Sequence, residues 1–245
     1  MFNIYSKFYD LLYQEKEYKI ETDYIIDLLA KHKILHGNIL EFGSGTGKHG
    51  CLLCKSGFNV HGIELSNEMV IRAETHPKFI CEQGDIANVK LNKSFDAVIS
   101  LFHVISYQTS NKQIKAVFEN ASNHLLTNGL FIFDFWYSPA VHYQQPSIRV
   151  KRVENHNFSL TRIAEPKYYP NENLVDVDYT FFVRNLDDNS ITQFKETHSL
   201  RHFSIPEVDE LAKLYNFKRV GVQEFLTKKK PSKDTWGVCV ILKKN

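Results

Sequence analysis

The stretch "ILEFGSGTGKHG", Ile39 to Gly50, decides the fold. Its glycines admit three readings, each leading to a different chemistry. A phosphate-cradling loop needs G-x-x-x-x-G-K-[ST]. Gly47-Lys48 satisfies one part, but the first glycine would fall at Phe42 and the hydroxyl at His49. A dinucleotide loop needs G-x-G-x-x-G, whereas Gly43, Gly45 and Gly47 make G-x-G-x-G with Lys48 after them. What remains is a tight turn with exposed backbone at the carboxyl end of a first parallel strand, suited to a nucleoside without requiring a pyrophosphate.

Working outward, short β-branched and aromatic runs alternate with amphipathic segments from residue 38 to 137, which predicts βαβ units and a parallel sheet. The strand candidates are "NILEF", "FNVHGIE", "KFICEQ", "FDAVISLF" and "GLFIFDFW". The clearest helix carries Ile114, Val117, Phe118, Ala121 and Leu125 on one face, with Ser110 and Gln113 as its capping box and Asn128-Gly129 as its end. Glu64 ends the second strand 21 positions after Gly43, where an acid can accept hydrogen bonds from both ribose hydroxyls. Asp85 in "EQGDI" follows the third, placed to meet an adenine amino group, with Ile86 against the ring.

The grammar changes near residue 140. "LVDVDYTFFVRN" alternates with period two between turn-rich "YYPNEN" and "LDDNS", which predicts an antiparallel β insertion. "PEVDELAKLYNF" then reads as a helix, and "KRVGVQEF" and "WGVCVILKK" as two closing strands. Before the first strand, Tyr5, Phe8, Tyr9 and Leu12 fall at helical spacing, ahead of "YIIDLLAKHKIL". Two readings stand for these helices: packing on the sheet, or an aromatic lid that closes over a ligand. The expected organisation is therefore α/β: a Rossmann-like seven-stranded sheet, mostly parallel with the last strand antiparallel, formed by residues 38–137 and 204–245. Residues 1–37 form the helical lid, and 138–203 the antiparallel insertion that shapes the acceptor site.

The 245-residue chain can bury a full core, and 30 Lys plus Arg against 28 Asp plus Glu leave a formal charge of +2 with no basic stripe. Nucleic acid is not an expected partner. No apolar run reaches membrane-span length, and "MFNIYSKFYD" lacks the sections of a signal peptide, so a cytoplasmic protein without a membrane partner is expected. Cys51 and Cys54 in "CLLC" have no second pair and read as small apolar packing rather than a metal site, so no metal is expected.

Taken in order, "LEFGSGTG", "GIELS", "QGDI" and "FDAVISLFHV" resemble the motifs of class I S-adenosylmethionine-dependent methyltransferases. The resemblance implies S-adenosylmethionine as cofactor, Glu41, Gly43, Gly45 and Gly47 along its methionine portion, Glu64 at the ribose, and Asp85 and Ile86 at the adenine. His49, Leu65 and Leu101 complete the expected cofactor set. More diffusely, "FYDLLYQEKEY", "GTGKH", "FWYSP" and "ETHSLRHFSIPEVDELAKLYNF" look like the N-methyltransferases that dimethylate nucleotide-linked amino sugars, the desosamine and mycaminose type. Carried over from that family, Tyr9 lies near the reacting amine, Tyr18 touches the cofactor carboxylate, and Tyr107 faces the sugar. The chain departs from the family in having Tyr107 where the family has His, and Lys233-Asp234 near the place of an Arg.

The acceptor expected from this resemblance is a small molecule, a nucleotide-linked (dTDP) amino sugar, handled by a monomer or homodimer. No Asn/Asp-Pro-Pro-aromatic signature of nucleic-acid amine methylation follows the fourth strand, which reads "SLFHVISY". An amine needs no strong base, so Tyr9 or Tyr107 need only orient it and help drain a proton. A hydroxyl acceptor would need a base during transfer, and His103 is the obvious one, giving an alternative small-molecule O-methyltransferase. A non-catalytic cofactor-binding protein is a third reading. Trp136, Glu196, His198, Arg201 and Lys233 are the candidate substrate contacts, with Glu196 and His198 on one strand face and Arg201 on the other. The "KKKPSK" loop carries two readings, a diphosphate contact or a solvated charge run.

Overall fold

The computed structural model describes residues 5–245, with side chains from residue 7 onward, so the Tyr5 side chain expected on the lid lies outside the described residues. The chain opens with α1 (Tyr5–Leu12) and α2 (Tyr18–Lys31). Then follow β1 (Asn38–Phe42), α3 (Lys48–Lys55), β2 (Asn59–Glu64), α4 (Asn67–Ile71), β3 (Phe79–Gln83), β4 (Phe95–Ser100), a 3₁₀ turn (Val104–Tyr107), α5 (Asn111–His124) and β5 (Leu125–Trp136). A short α6 (Ser138–Gln144) leads to β6 (Arg149–Glu154), β7 (Phe158–Tyr169), β8 (Leu174–Asn185) and β9 (Ile191–Arg201), and α7 (Ile205–Leu214), β10 (Phe217–Glu224) and β11 (Gly237–Lys244) close the chain.

The main sheet has seven strands in the order β10-β11-β5-β4-β1-β2-β3. β1 to β5 run parallel, and β11 is antiparallel to both neighbours, as the alternating pattern predicts. Both faces are covered, which is why these strands read as nearly continuous apolar runs. On one side Phe42, Phe131 and Phe133 pack with Phe118 of α5 and Val208 of α7; on the other Ile39, Ile99 and Ile132 pack with Ile25 and Leu29 of α2 and Leu53 of α3. The order reverses between β1 and β4, and a crevice at such a switch point is where α/β sheets bind ligands. β6 to β9 form a separate antiparallel sheet. α1 lies on that sheet: Phe8 and Leu12 share a buried cluster with Leu160, Phe181 and Val183.

Two details differ from expectation. α5 has the expected Ser110–Gln113 capping box but stops at His124, not at Asn128-Gly129. Lys244 Nζ donates to the Ser122 and Leu125 carbonyls at 2.6 and 2.7 Å, which satisfies the helix end early. Leu125 then pairs with Phe95, and Asn128, with φ of 67°, makes an irregularity inside β5. The helix α6 was also unforeseen; its Pro139 sits in the first turn, where the missing N–H costs nothing. Cys51 and Cys54 are buried free thiols in α3.

Candidate functional site

The glycine loop folds as its spacing demands. Gly43, Gly45 and Gly47 have φ of 73°, 55° and 76°, all in the left-handed region. A Cβ on Gly43 would stand 2.5 Å from the Val104 side chain, so that side chain of the 3₁₀ turn after β4 packs directly on the loop backbone. At Gly45 a Cβ would meet nothing within 4 Å: this glycine borders open space rather than protein. The Gly43 and Ser44 amides donate to the Ile63 carbonyl, tying the loop to β2.

Two carboxylates converge on that loop. Glu64 accepts hydrogen bonds from the Gly45 and Ser66 amides at 2.9 and 2.8 Å. Glu41, next to last in β1, is 2% exposed, and its Oε2 has no hydrogen-bond partner. Burial, reinforced by the Glu64 charge, pushes its carboxyl up to about 8. An orphaned buried carboxylate costs free energy until a ligand donor reaches it. The ammonium of a methionine group would satisfy Glu41, and ribose hydroxyls can add to the lone pairs of Glu64, so the donor set fits S-adenosylmethionine.

Behind the loop stands a buried polar chain. His49 Nε2 and Lys16 Nζ each lie 2.8 Å from Glu21 Oε2, and His49 Nδ1 lies 4.0 Å from Glu41. Burial lowers the pKa of His49 and of Lys16. Burial also pulls the Glu21 carboxyl upward, but His49 and Lys16 outweigh it and hold it below the usual range. The Tyr18 ring packs edge-on against His49. Lys16 also caps the Phe102 ring, 3.6 Å from its centroid. Lys16 and Glu21 were not anticipated, because their role arises from the lid folding back over β1.

After β4, Phe102 and His103 both take left-handed φ, 63° and 61°. Neither is a glycine, so each costs on the order of 1 kcal/mol that other contacts must offset. Asp134 of β5 supplies one: its carboxylate accepts the His103 N–H at 3.2 Å, and its Oδ2 lies 2.7 Å from His103 Nδ1. Asp134 is 1% exposed. Burial acts to raise its carboxyl, and His103 overrides this, leaving it below the usual value. The signal in the sequence was an acid alone among aromatic and aliphatic residues in "FIFDFW".

Aromatic side chains from three elements gather beside this pair. The Tyr9 ring lies 4.8 Å from that of Tyr13, and the Tyr18 and Tyr107 phenols are near enough to act on its hydroxyl. Tyr13 packs edge-on to Phe102 at 5.0 Å, and Trp136 edge-on to His103 at 6.3 Å. The Tyr107 hydroxyl is 3.0 Å from His198 Nδ1, whose Nε2 is 3.4 Å from Glu196. Burial, with neighbouring phenols, raises Tyr9 and Tyr107 well above the ordinary tyrosine value. Both stay protonated at neutral pH and can orient a lone pair but not take its proton.

The structure therefore brings Tyr9, Tyr18, Glu41, Gly43, Gly45, Gly47, His49, Glu64, His103, Tyr107, Trp136, Glu196 and His198 to one end of the sheet. Leu65 stands beside Glu64 at 59% exposure, an apolar face open to a ring. Asp85 accepts the Ala87 amide at 2.9 Å within its own turn. Ile86 and Leu101 are buried in the two opposite cores. Arg201 turns away to Glu207 at 2.6 Å, and Lys233 lies over the Tyr143 ring beside Asp234. α1 is pinned over the loop by Asp10, which accepts from Thr46 Oγ1 at 3.1 Å and pairs with Lys48 at 2.7 Å.

Residues 39–129 match the family described as a methyltransferase domain. The chain is 25% identical over 202 residues, 81% of its length and 78% of the other's, to the dTDP-3-amino-3,6-dideoxy-alpha-D-glucopyranose N,N-dimethyltransferase of Streptomyces fradiae. Its fold superposes on an S-adenosylmethionine-dependent methyltransferase from Clostridium acetobutylicum, with TM-score 0.82, 23% identity and 100% and 99% of the two chains covered. It also superposes on SAM-bound CalS10, an amino pentose methyltransferase from Micromonospora echinaspora, with TM-score 0.78, 19% identity, and 100% and 98% covered. Residues 39–129 thus carry a methyltransferase domain, and S-adenosylmethionine is its expected cofactor. Among the described residues no helix is long and apolar enough to cross a membrane, and no group of three or more metal-ligating side chains occurs.

Proposed function

We propose that this methyltransferase acts on the amine of a nucleotide-linked amino sugar, with dTDP as the nucleotide. The observation that carries the reading is the His103–Asp134 pair set at the end of β4 among Tyr9, Tyr13, Tyr107 and Trp136, opposite the orphaned Glu41. The Streptomyces fradiae relative, which dimethylates such a sugar, supports the choice of acceptor.

Bound S-adenosylmethionine would supply an electrophilic methyl group on a sulfonium. Glu41 and Glu64 would hold its ammonium and ribose, with Lys16, Tyr18 and His49 behind the methionine end. The acceptor amine must lie in line, about 3 to 3.5 Å from the methyl carbon. Tyr9 and Tyr107 orient it by hydrogen bonding through protonated phenols. An amine with a pKa on the order of 8 is partly neutral at pH 7 and attacks through its lone pair, and the product ammonium must then lose a proton. His103 receives it: Asp134 beside Nδ1 favours the tautomer that leaves the Nε2 lone pair available. Closure of α1 over the loop and the insertion excludes water from this step.

Purified protein with S-adenosylmethionine and TDP-linked 3-amino-3,6-dideoxyglucose is expected to add methyl groups to the amine, read by mass spectrometry. If every TDP-amino sugar stays unmethylated while another small molecule is modified, the acceptor reading is wrong. A second reading, O-methylation of a small molecule with His103 as base during transfer, uses the same 2.7 Å His103–Asp134 contact without the support of the Streptomyces fradiae relative. The two separate on His103→Ala: an amine acceptor keeps measurable turnover that rises with pH, whereas a hydroxyl acceptor loses it at every pH.

A further inference from the structure

The β6–β9 sheet presents one face to the lid, and its register decides which side chains share that face. Arg162 of β7 stands directly opposite Lys151 of β6 on one side and Phe181 of β8 on the other. Tyr179, Glu196 and His198 belong to the same face. Two cations are thus direct cross-strand neighbours, an arrangement in which like charges repel. Both are half-buried, and neither belongs to an ion pair among the described residues. The Arg162 Nε is enclosed with no hydrogen-bond partner.

Their recorded contacts are with rings. Lys151 Nζ is 5.7 Å from the Tyr13 centroid, and the Arg162 guanidinium carbon is 5.0 Å from that of Tyr179. Such contacts engage the charge without a hydrogen-bond acceptor, and the enclosed Arg162 Nε donor stays unsatisfied. The same two rings border the transfer site, Tyr13 through Phe102 at 5.0 Å and Tyr179 through His198 at 4.9 Å. The geometry points to Lys151 and Arg162 as an anion subsite that holds the diphosphate of the acceptor, a role that rests on the acceptor being nucleotide-linked. A diphosphate removes the repulsion between the two cations, and its oxygens match the fork of a guanidinium. Lys233, the cation singled out in the sequence, is engaged with Tyr143 and Asp234 instead.

Calorimetry with thymidine diphosphate, inorganic pyrophosphate and S-adenosylhomocysteine tests the subsite on the full chain. Arg162→Gln and Lys151→Gln are each expected to weaken thymidine diphosphate and pyrophosphate binding by about ten-fold or more, and Arg162→Lys to recover part of the loss. S-adenosylhomocysteine affinity should stay within about two-fold, since the subsite lies on the acceptor side. Unchanged diphosphate affinity in both Gln variants, or a parallel fall in S-adenosylhomocysteine affinity, overturns the assignment. Arg162-dependent diphosphate binding without methylation of any amino sugar nucleotide supports the subsite and removes the amino-sugar reading. Methylation with an unchanged KM for the amino sugar nucleotide in the Gln variants does the reverse.

Discussion

The proposed cofactor side and the proposed acceptor side of this site are built by different means. The centre of the cofactor side, the 26 residues from Ile39 to Glu64, holds its shape through backbone: three left-handed glycines, amides bonded to the Ile63 carbonyl, and amides donated to Glu64. The acceptor side draws Tyr9, His103, Asp134, Arg162 and His198 from five separate segments and holds them through side-chain contacts. A backbone-built site tolerates little change in the loop, whereas a side-chain-built site can change acceptor by single substitutions. The two halves should respond differently to mutation.

The largest expected effect is on the cofactor side and concerns stability. Because Glu41 is pushed up to about 8 in the folded chain, against about 4.5 unfolded, the folded state binds the extra proton between these values. The ligand-free protein should therefore lose stability as pH rises from about 4.5 to about 8, by about 2–3 kcal/mol after allowance for relaxation. Glu41→Gln should flatten that slope while weakening cofactor binding. Parallel Tm curves for the two proteins across this range would dissolve the argument.

Next, Glu64→Ala should weaken S-adenosylhomocysteine binding by about 1.5–3 kcal/mol, measured by calorimetry, with unchanged affinity refuting its placement at the ribose. On the acceptor side, Asp134→Asn should lower kcat by about ten-fold and leave S-adenosylhomocysteine affinity in place. Its residual rate should rise at higher pH, where the amine sheds its proton unaided; loss of cofactor affinity instead would mark Asp134 as structural. Tyr107→Phe should change KM for the acceptor by only about three-fold, since orientation is shared with Tyr9. A hundred-fold loss of kcat there would mean that Tyr107 does more than orient.

The difference between the halves also explains what could be read in advance. β1 to β5, the glycine loop and Glu64 were legible because strand periodicity and turn chemistry are local, and Glu64 follows Gly43 by one βαβ repeat. Asp134 was visible as an anomalous acid in "FIFDFW", but its partner His103 lies 31 residues away on an adjacent strand end. Arg201 stood among the candidate acceptor contacts although its parity sets it on the other strand face from Glu196 and His198; the turn into α7 brings Glu207 to it. The end of α5 shifted from Asn128 to His124 because Lys244, at the far end of the chain, caps its carbonyls.

By itself the sequence determined the succession of strands and helices along the chain, a glycine turn whose spacing does not match a pyrophosphate loop, and the acids near the ends of β1 and β2, since each depends on neighbours a few residues away. The tertiary structure alone decided that Lys16, Glu21 and His49 form one buried chain, that His103 is held by Asp134, and that Lys151 faces Arg162. These pairings depend on sheet register and on a lid folded across it. Burial then gives each charge its energy, and burial is a property of the packed chain.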